Sequence, residues 1–292
     1  MKTLAVLPAR YASSRFPGKP LAMILGKPMV QWAWEAAQSA GMTRVVVATD
    51  DERIMAAVAA FGGEAVFTDP SLPSGTDRVA AAMDALGGDF EIALNIQGDE
   101  PAMHHETIAA VARLMEERPD LPMGTAACPF ESPDEIFSPN NVKVVLDGEG
   151  RALYFSRSPI PFLRSSTNFG MDFRPWMTKE QLELFRRHLG IYAYRPDALR
   201  KLTALPPHPL EQAEMLEQLR ALAAGMAIGV AYTPHCSIGV DTPSDVALAE
   251  EMLKARGQGS GARGASYIRY QVIGNYIFGS PKIITSTITT FT

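Results

Sequence analysis

From Leu4 onward the chain alternates short, nearly uninterrupted apolar runs with amphipathic stretches that end at glycine. Leu4 to Leu7 reads as a buried parallel strand, which Pro8 ends by withholding a donor from the sheet. Met29 to Ala40 has helical composition and stops at Gly41, Arg44 to Asp50 is a β-branched strand, and Glu52 to Phe61 is a helix closed by Gly62 and Gly63. The rhythm repeats with a strand over Glu64 to Thr68, a helix through Leu86, a strand over Glu91 to Ile96 and a helix over Glu106 to Glu117. Apolar strands alternating with helices predict an α/β fold, a doubly wound, mostly parallel sheet covered on both faces.

At Met123 the pattern changes to strand after strand: GTAACPF, VKVVLD and ALYFSRSPIPF, with a hairpin turn at Asp147-Gly148-Glu149-Gly150. This predicts an antiparallel excursion over about residues 123–195, a natural place for a dimer arm, with an irregular loop from Arg164 to Lys179. HLGIYAY returns to strand, Leu210 to Ala224 reads as one strong helix, and Ala227 to Tyr232 as a strand. A last helix runs through Arg256, with Thr242 as cap, Pro243 at its first position and Asp245 in its first turn. Residues 1–256 thus form one domain. Residues 257–292 stand apart: a GQGSGARG linker, then an almost uncharged aromatic and β-branched tail. The formal GxGxxG at Gly259, Gly261 and Gly264 follows a helix rather than a strand, so it is not a dinucleotide site.

Charge sharpens the picture at one place. Lys2, Arg10, Arg15, Lys19 and Lys27 precede the first acidic residue, Glu35, in a chain of net charge −5. The loop after the first strand therefore sits at a sheet's carboxyl edge, where open α/β folds bind ligands. Arg10, Arg15 and Lys19 suit a polyanion such as a triphosphate. The sequence around Gly26-Lys27 lacks the Walker pattern. The mild acidity excludes nucleic acid as a general partner. No apolar run reaches the length of a membrane helix, which predicts a cytoplasmic protein. Cys128 and Cys236 are far apart and read as buried thiols of a reducing compartment, neither a disulfide framework nor a zinc site. His104, His105, His208 and His235 show no metal-ligand spacing.

QGDEP leaves the fourth strand at the same edge, and GVDTP lies between a strand and a helix. A lone turn aspartate is more often a cap, but Asp99 and Asp241 together, opposite a basic loop, point to Mg²⁺ on a triphosphate. Ser74-Gly75-Thr76, followed by Asp77 and Arg78, offers amides and hydroxyls at a helix start to a base or ribose. Arg157 ends a strand where it can bind a carboxylate. Glu211, Glu214 and Gln218 are spaced to share one helix face. Spacing alone fits a surface ion pair and a solvated acidic face better, and His188 alone reads as structural.

PARYASSRFPGKPL, ATD, SGTDR, NIQGDEP, NNVKVVLD, ALYFSR, HLGIYAY, PLEQAEMLEQLR and GVDTP occur in this order. Together they resemble the CMP-Kdo synthetases, the 3-deoxy-manno-octulosonate cytidylyltransferases, from Leu4 to about Arg256. The resemblance implies a nucleotide-diphospho-sugar transferase-like fold with a dimerisation excursion. It also implies a Mg²⁺-dependent cytoplasmic homodimer that makes CMP-Kdo and pyrophosphate from CTP and Kdo for lipopolysaccharide synthesis. Carried over, Arg10, Arg15 and Lys19 hold the triphosphate, Ser74 and Arg78 the nucleotide, and Asp99 and Asp241 the Mg²⁺. Gln97, Arg157, His188, Tyr192, Glu211, Glu214 and Gln218 face Kdo. Asp77 stands where Glu is common, residues 164–179 depart from the pattern, and the tail lies outside it. The alternatives are a synthetase for another CMP-ulosonate such as CMP-sialate, or a non-catalytic nucleotide-binding regulator.

Overall fold

The computed structural model describes residues 1–12, 16–164 and 177–259, with side chains to residue 256. In chain order the elements are β1 (Thr3–Ala9), β2 (Met23–Ile24), β3 (Lys27–Pro28), α1 (Met29–Ser39), β4 (Arg44–Thr49) and α2 (Glu52–Ala60). Next come β5 (Glu64–Phe67), α3 (Gly75–Leu86), β6 (Ile92–Asn95), α4 (His105–Glu117), β7 (Met123–Cys128) and α5 (Pro133–Phe137). They are followed by β8 (Lys143–Leu146), β9 (Ala152–Ser156), α6 (Lys179–Leu182), β10 (Arg187–Tyr194) and α7 (Pro196–Ala204). The described chain closes with α8 (Pro209–Glu214), α9 (Gln218–Ala223), β11 (Ile228–Tyr232) and α10 (Pro243–Gly259).

The main sheet has the order β11-β7-β10-β6-β1-β4-β5. β1 is parallel to β4 and β6, β4 to β5, and β11 to β7, while β10 runs antiparallel between β6 and β7. Alternation along β1 sends Ala5, Leu7 and Ala9 into the core under α1 and α4. Leu4 and Val6 go to the opposite core, beneath α3. This is the doubly wound arrangement the apolar runs predict.

Four expectations are corrected. β1 continues past Pro8, because its pairing with β6 stops at Val6 opposite Asn95, so the missing N–H leaves no ladder position empty on that side. The antiparallel excursion does not begin at Met123: β7 is a fully buried member of the main sheet. The excursion is the β8–β9 hairpin, which joins β10. The helix expected over Leu210 to Ala224 breaks at Met215, whose φ is 53°, into α8 and α9. The Arg157 guanidinium takes the carbonyls of Glu214 (2.7 Å) and Met215 (3.4 Å), which would otherwise lack partners at the helix end. Cys128 and Cys236 are not thiols but a disulfide across 108 residues, with Cα atoms 5.6 Å apart. Topology brings the end of β7 beside the segment after β11, and no sequence spacing encodes that.

At the last helix Asp245, rather than Thr242, supplies the capping acceptor. Its carboxylate takes the amides of Asp241 (3.0 Å) and Thr242 (2.8 Å), and the Thr242 hydroxyl donates to it (2.9 Å). α10 runs three residues beyond Arg256, into the expected linker. The remaining tail, residues 165–176 of the loop expected from Arg164 to Lys179, and Arg15 lie outside the described residues. No helix among the described residues is long and apolar enough to cross a membrane.

Candidate active site

The site lies at the carboxyl edge of β1 and β6. After the basic loop Gly18 donates its amide to the Tyr11 carbonyl (2.9 Å); its φ of 70° favours glycine, and an added Cβ would lie a tight 3.1 Å from the Tyr11 ring. The next residue, Lys19, opens a short 3-10 turn and points its ammonium at two carboxylates. Its Nζ lies 2.6 Å from Asp99 Oδ2 and 3.3 Å from Asp241 Oδ1. These aspartates come from loops 142 residues apart in sequence, and they converge on one cation. A backbone hydrogen bond from Val240 N–H to the Asp99 carbonyl (2.8 Å) ties the two loops. Paired carboxylate oxygens around one positive charge are the hard donor set that a divalent cation on a triphosphate needs.

Beside this group a cavity of about 360 Å³ is lined by Arg10, Lys19, Gly75, Arg78, Gln97 and Asp241, among others. Gly98 lets the loop sit close to β1, since an added Cβ would lie a tight 3.1 Å from the Pro8 carbonyl oxygen. Arg10 donates to the carbonyls of Pro70 (3.0 Å) and Leu72. Arg78, only 1 % exposed, donates to Asp50 (2.5 Å) and to Thr68 (2.6 Å). Its burial lowers its pKa despite Asp50. Ser74 closes a capping box with Asp77, in which the shorter acid reaches both the Ser74 amide (3.1 Å) and hydroxyl (2.7 Å). Asp77 thus performs at the helix start what a glutamate does in a capping box.

A second cavity, of about 490 Å³, shares Gly75 and Gln97 with the first. Arg157, His188, Tyr192 and Gln218, which the family resemblance would turn toward one ligand, line it. The Gln218 Nε2 is buried without a hydrogen-bond partner, a donor left for something in the cavity. Arg157 is held by three carbonyls, those of Glu214, Met215 and Pro139. Lys143, fully buried, fixes the same strand end by donating to the carbonyls of Ser138, Asn141 and Arg157.

Glu211 and Glu214 are not brought to the cavity wall. Glu211 pairs with Arg220 (2.5 Å) and accepts from the His208 amide (3.0 Å). Glu214 accepts from the Ser156 hydroxyl (2.6 Å) and the Arg157 amide (2.9 Å). The left-handed turn at Met215 rotates the following residues, so Glu217 rather than Glu214 lines the cavity. Burial raises the Glu217 pKa, opposed by hydrogen bonds from Thr76 and Ser74. Sequence reasoning missed Glu217 for this reason, and no local signal marks it. It also missed Glu100, whose signal was available: it adjoins Asp99 in QGDEP. Burial pushes the Glu100 carboxyl up to about 7, against the hydrogen bond from Ser237.

His188 is buried, with Nε2 3.0 Å from the Thr125 hydroxyl and its ring edge-on to Phe155. Burial lowers its pKa from 6.5 to about 3. The unfolded chain takes a proton here below about pH 6.5 while the native ring stays neutral. Stability therefore falls as pH drops from about 6.5 toward 3, by up to about 1.4 kcal/mol per pH unit. Denaturant unfolding at pH 7 and pH 4.5 should show this loss, and His188→Gln should reduce it. An equal loss in the variant would assign the acid sensitivity elsewhere.

A cytidylyltransferase family model matches residues 4–228. A 3-deoxy-manno-octulosonate cytidylyltransferase of Syntrophobacter fumaroxidans is 48% identical over 248 residues, covering 84% of this chain and 94% of its own. The enzyme of that name from Syntrophotalea carbinolica is 48% identical over 255 residues, covering 87% and 99%. A solved structure of CMP:2-keto-3-deoxy-manno-octonic acid synthetase complexed with CTP superposes with a TM-score of 0.77 at 40% identity, over 88% of this chain and all of that one. With the two linked cavities and the converging aspartates already in place, these likenesses put the chain in the 3-deoxy-manno-octulosonate cytidylyltransferase family.

Proposed function

We propose that this chain activates Kdo with CTP, giving CMP-Kdo and pyrophosphate. The observation that carries the reading is the junction of two cavities at Gln97 and Gly75, with Lys19, Asp99 and Asp241 at the edge of one of them. The smaller cavity takes the nucleotide, its Arg10 and Lys19 facing the triphosphate. The larger takes the sugar acid, whose carboxylate suits Arg157 and whose hydroxyls suit Gln218, His188 and Tyr192. The C2 hydroxyl of Kdo attacks the α-phosphorus in line. A new P–O bond forms, the bond to the β-phosphate breaks, and the hydroxyl proton is lost as pyrophosphate leaves.

The protein's share of catalysis is positioning and charge neutralisation. Asp99 and Asp241 would hold Mg²⁺, which supplies charge neutralisation of the phosphates. Because CTP is a cytoplasmic nucleotide, the reaction belongs to the cytoplasm. The exposed Leu153, in the β8–β9 hairpin, and Phe162, six residues beyond β9, suit a homodimer contact.

The deciding assay mixes the protein with CTP, Mg²⁺ and either Kdo or N-acetylneuraminate and follows pyrophosphate. Release with Kdo alone is expected, and release only with the sialate would overturn the sugar assignment. Arg157→Ala should raise the KM for Kdo by about tenfold or more and leave that for CTP unchanged. Arg157→Lys, which keeps the charge but loses the fork, should recover part of the loss. An unchanged KM for Kdo in Arg157→Ala would remove Arg157 from the sugar site.

A further inference from the structure

Asp241 stands at the end of a nine-residue strap, Thr233 to Asp241, that leaves β11 and contributes Ser237 and Gly239 to the lining of the larger cavity. Its fastenings reach distant elements both through side chains and through the backbone. Cys236 is joined to Cys128 at the end of β7. The Ser237 hydroxyl donates to Glu100 at 2.5 Å, and the Ser237 carbonyl accepts from Arg187 at 3.0 Å. Val240 is bonded through its amide to Asp99. Glu100 and Asp99 are neighbours, so the strap is pinned to the very loop that carries the other carboxylate.

The nearby imidazoles belong to the same fastening. His235 Nε2 lies 2.6 Å from Glu106, and its ring stacks on His104 with centroids 3.8 Å apart and planes inclined by 13°. His104, Glu106 and His235 bring their ligand atoms within 4.8 Å of one another. Stacked rings nonetheless aim their in-plane lone pairs side by side rather than at one ion, and His104 Nδ1 already accepts from the Glu106 amide. The trio anchors the strap; it does not form a metal centre.

We infer that the Cys128–Cys236 disulfide and the Ser237–Glu100 hydrogen bond are positioning elements that hold Asp241 opposite Asp99, making divalent-cation affinity depend on the oxidation state of the two cysteines. The inference rests on the proposed cation role of Asp99 and Asp241. Both carboxylates must sit within about 2 Å of one ion. Both lie outside the strands, but Asp99 follows the end of β6 at Asn95 by four residues, whereas Asp241 follows the end of β11 at Tyr232 by nine. Groups that orient ligands from behind change metal affinity by about 10 to 100-fold when removed.

The test uses the full chain with CTP present and Mn²⁺ as the probe, free Mn²⁺ being read from its electron paramagnetic resonance signal. Oxidised protein is compared with protein reduced by a trialkylphosphine. In that reaction the phosphine becomes its oxide with oxygen from water, and the disulfide gains two electrons and two protons to give two thiols. Reduction should raise the Kd for Mn²⁺ by about tenfold, and reoxidation should restore it. Ser237→Ala should weaken Mn²⁺ binding in the same direction. Far-UV circular dichroism and metal-free CTP binding should stay unchanged in both, which a general loss of structure would not allow. An equal Kd for Mn²⁺ in oxidised and reduced protein overturns the inference, as do free thiols at both cysteines in air-oxidised protein. Asp241→Ala separates the levels: if it binds Mn²⁺ as tightly as the parent, the cation reading itself has failed. If it loses Mn²⁺ while reduction does nothing, only the strap inference has failed.

Discussion

Asp99→Ala should lower turnover by about 10³-fold while the protein stays folded. Charge develops on the phosphates as the α-phosphorus is attacked, and a divalent cation held there is worth several kcal/mol; about 4 kcal/mol is 10³ in rate. On the proposed cation role of the two aspartates, removing one would leave Asp241 alone to hold the ion, on a segment whose position depends on its fastenings. The fold should survive because the Asp99 side chain is 34% exposed and Lys19 keeps Asp241 at 3.3 Å. Pyrophosphate release and circular dichroism on the same sample check both halves. Turnover within tenfold of the parent would take Asp99 out of the chemistry.

Asp50→Ala should cost about 3 kcal/mol or more of stability, because it strands a buried charge. The Arg78 side chain is 1% exposed, and Asp50 is its one carboxylate partner among the hydrogen bonds of the described residues, the other contact being the neutral Thr68 hydroxyl. A guanidinium cannot shed its proton to escape, so the desolvation cost stays after the partner is gone. Asp50 also lies 3.8 Å from Arg10, so both arginines at the smaller cavity lose compensation. Denaturant unfolding should show a lower midpoint at an unchanged slope. The double variant Asp50→Ala with Arg78→Met should recover a large part of the loss, since no unpaired charge remains. A single variant within about 0.5 kcal/mol of the parent would mean that water reaches Arg78 and the pair is not desolvated.

The roles of Arg78 and Ser74 show how local reading and tertiary placement divide. SGTDR was legible as the start of a helix, and the capping box of Ser74 with Asp77 is a local structure of four residues. That Arg78 is locked against Asp50 was not legible, because the pair spans 28 residues and depends on β4 lying beside β1. The acidic run after Pro209 shows the same division more sharply. Its spacing by three and four is real, but a helix face exists only while the helix does. Arg157, 57 residues upstream, takes the carbonyls at Glu214 and Met215 where the helix breaks. The break commits Glu211 and Glu214 to local and cross-chain bonds and turns Glu217 into the cavity.

By itself the sequence determined the doubly wound α/β pattern, the basic loop, the two turn aspartates and the family. Each is carried by apolar periodicity, turn chemistry or an ordered motif within a few residues, and such local preferences need no partner to be read. Only the tertiary structure decided that Lys19 bridges Asp99 and Asp241 and that β7 belongs to the main sheet. It alone also decided that Cys128 is bonded to Cys236 and that a strap pins Asp241 in place. Those contacts join segments dozens to more than 200 residues apart. Their energies arise only once the topology has set which strand ends share an edge, and that is a property of the whole sheet rather than of any stretch within it.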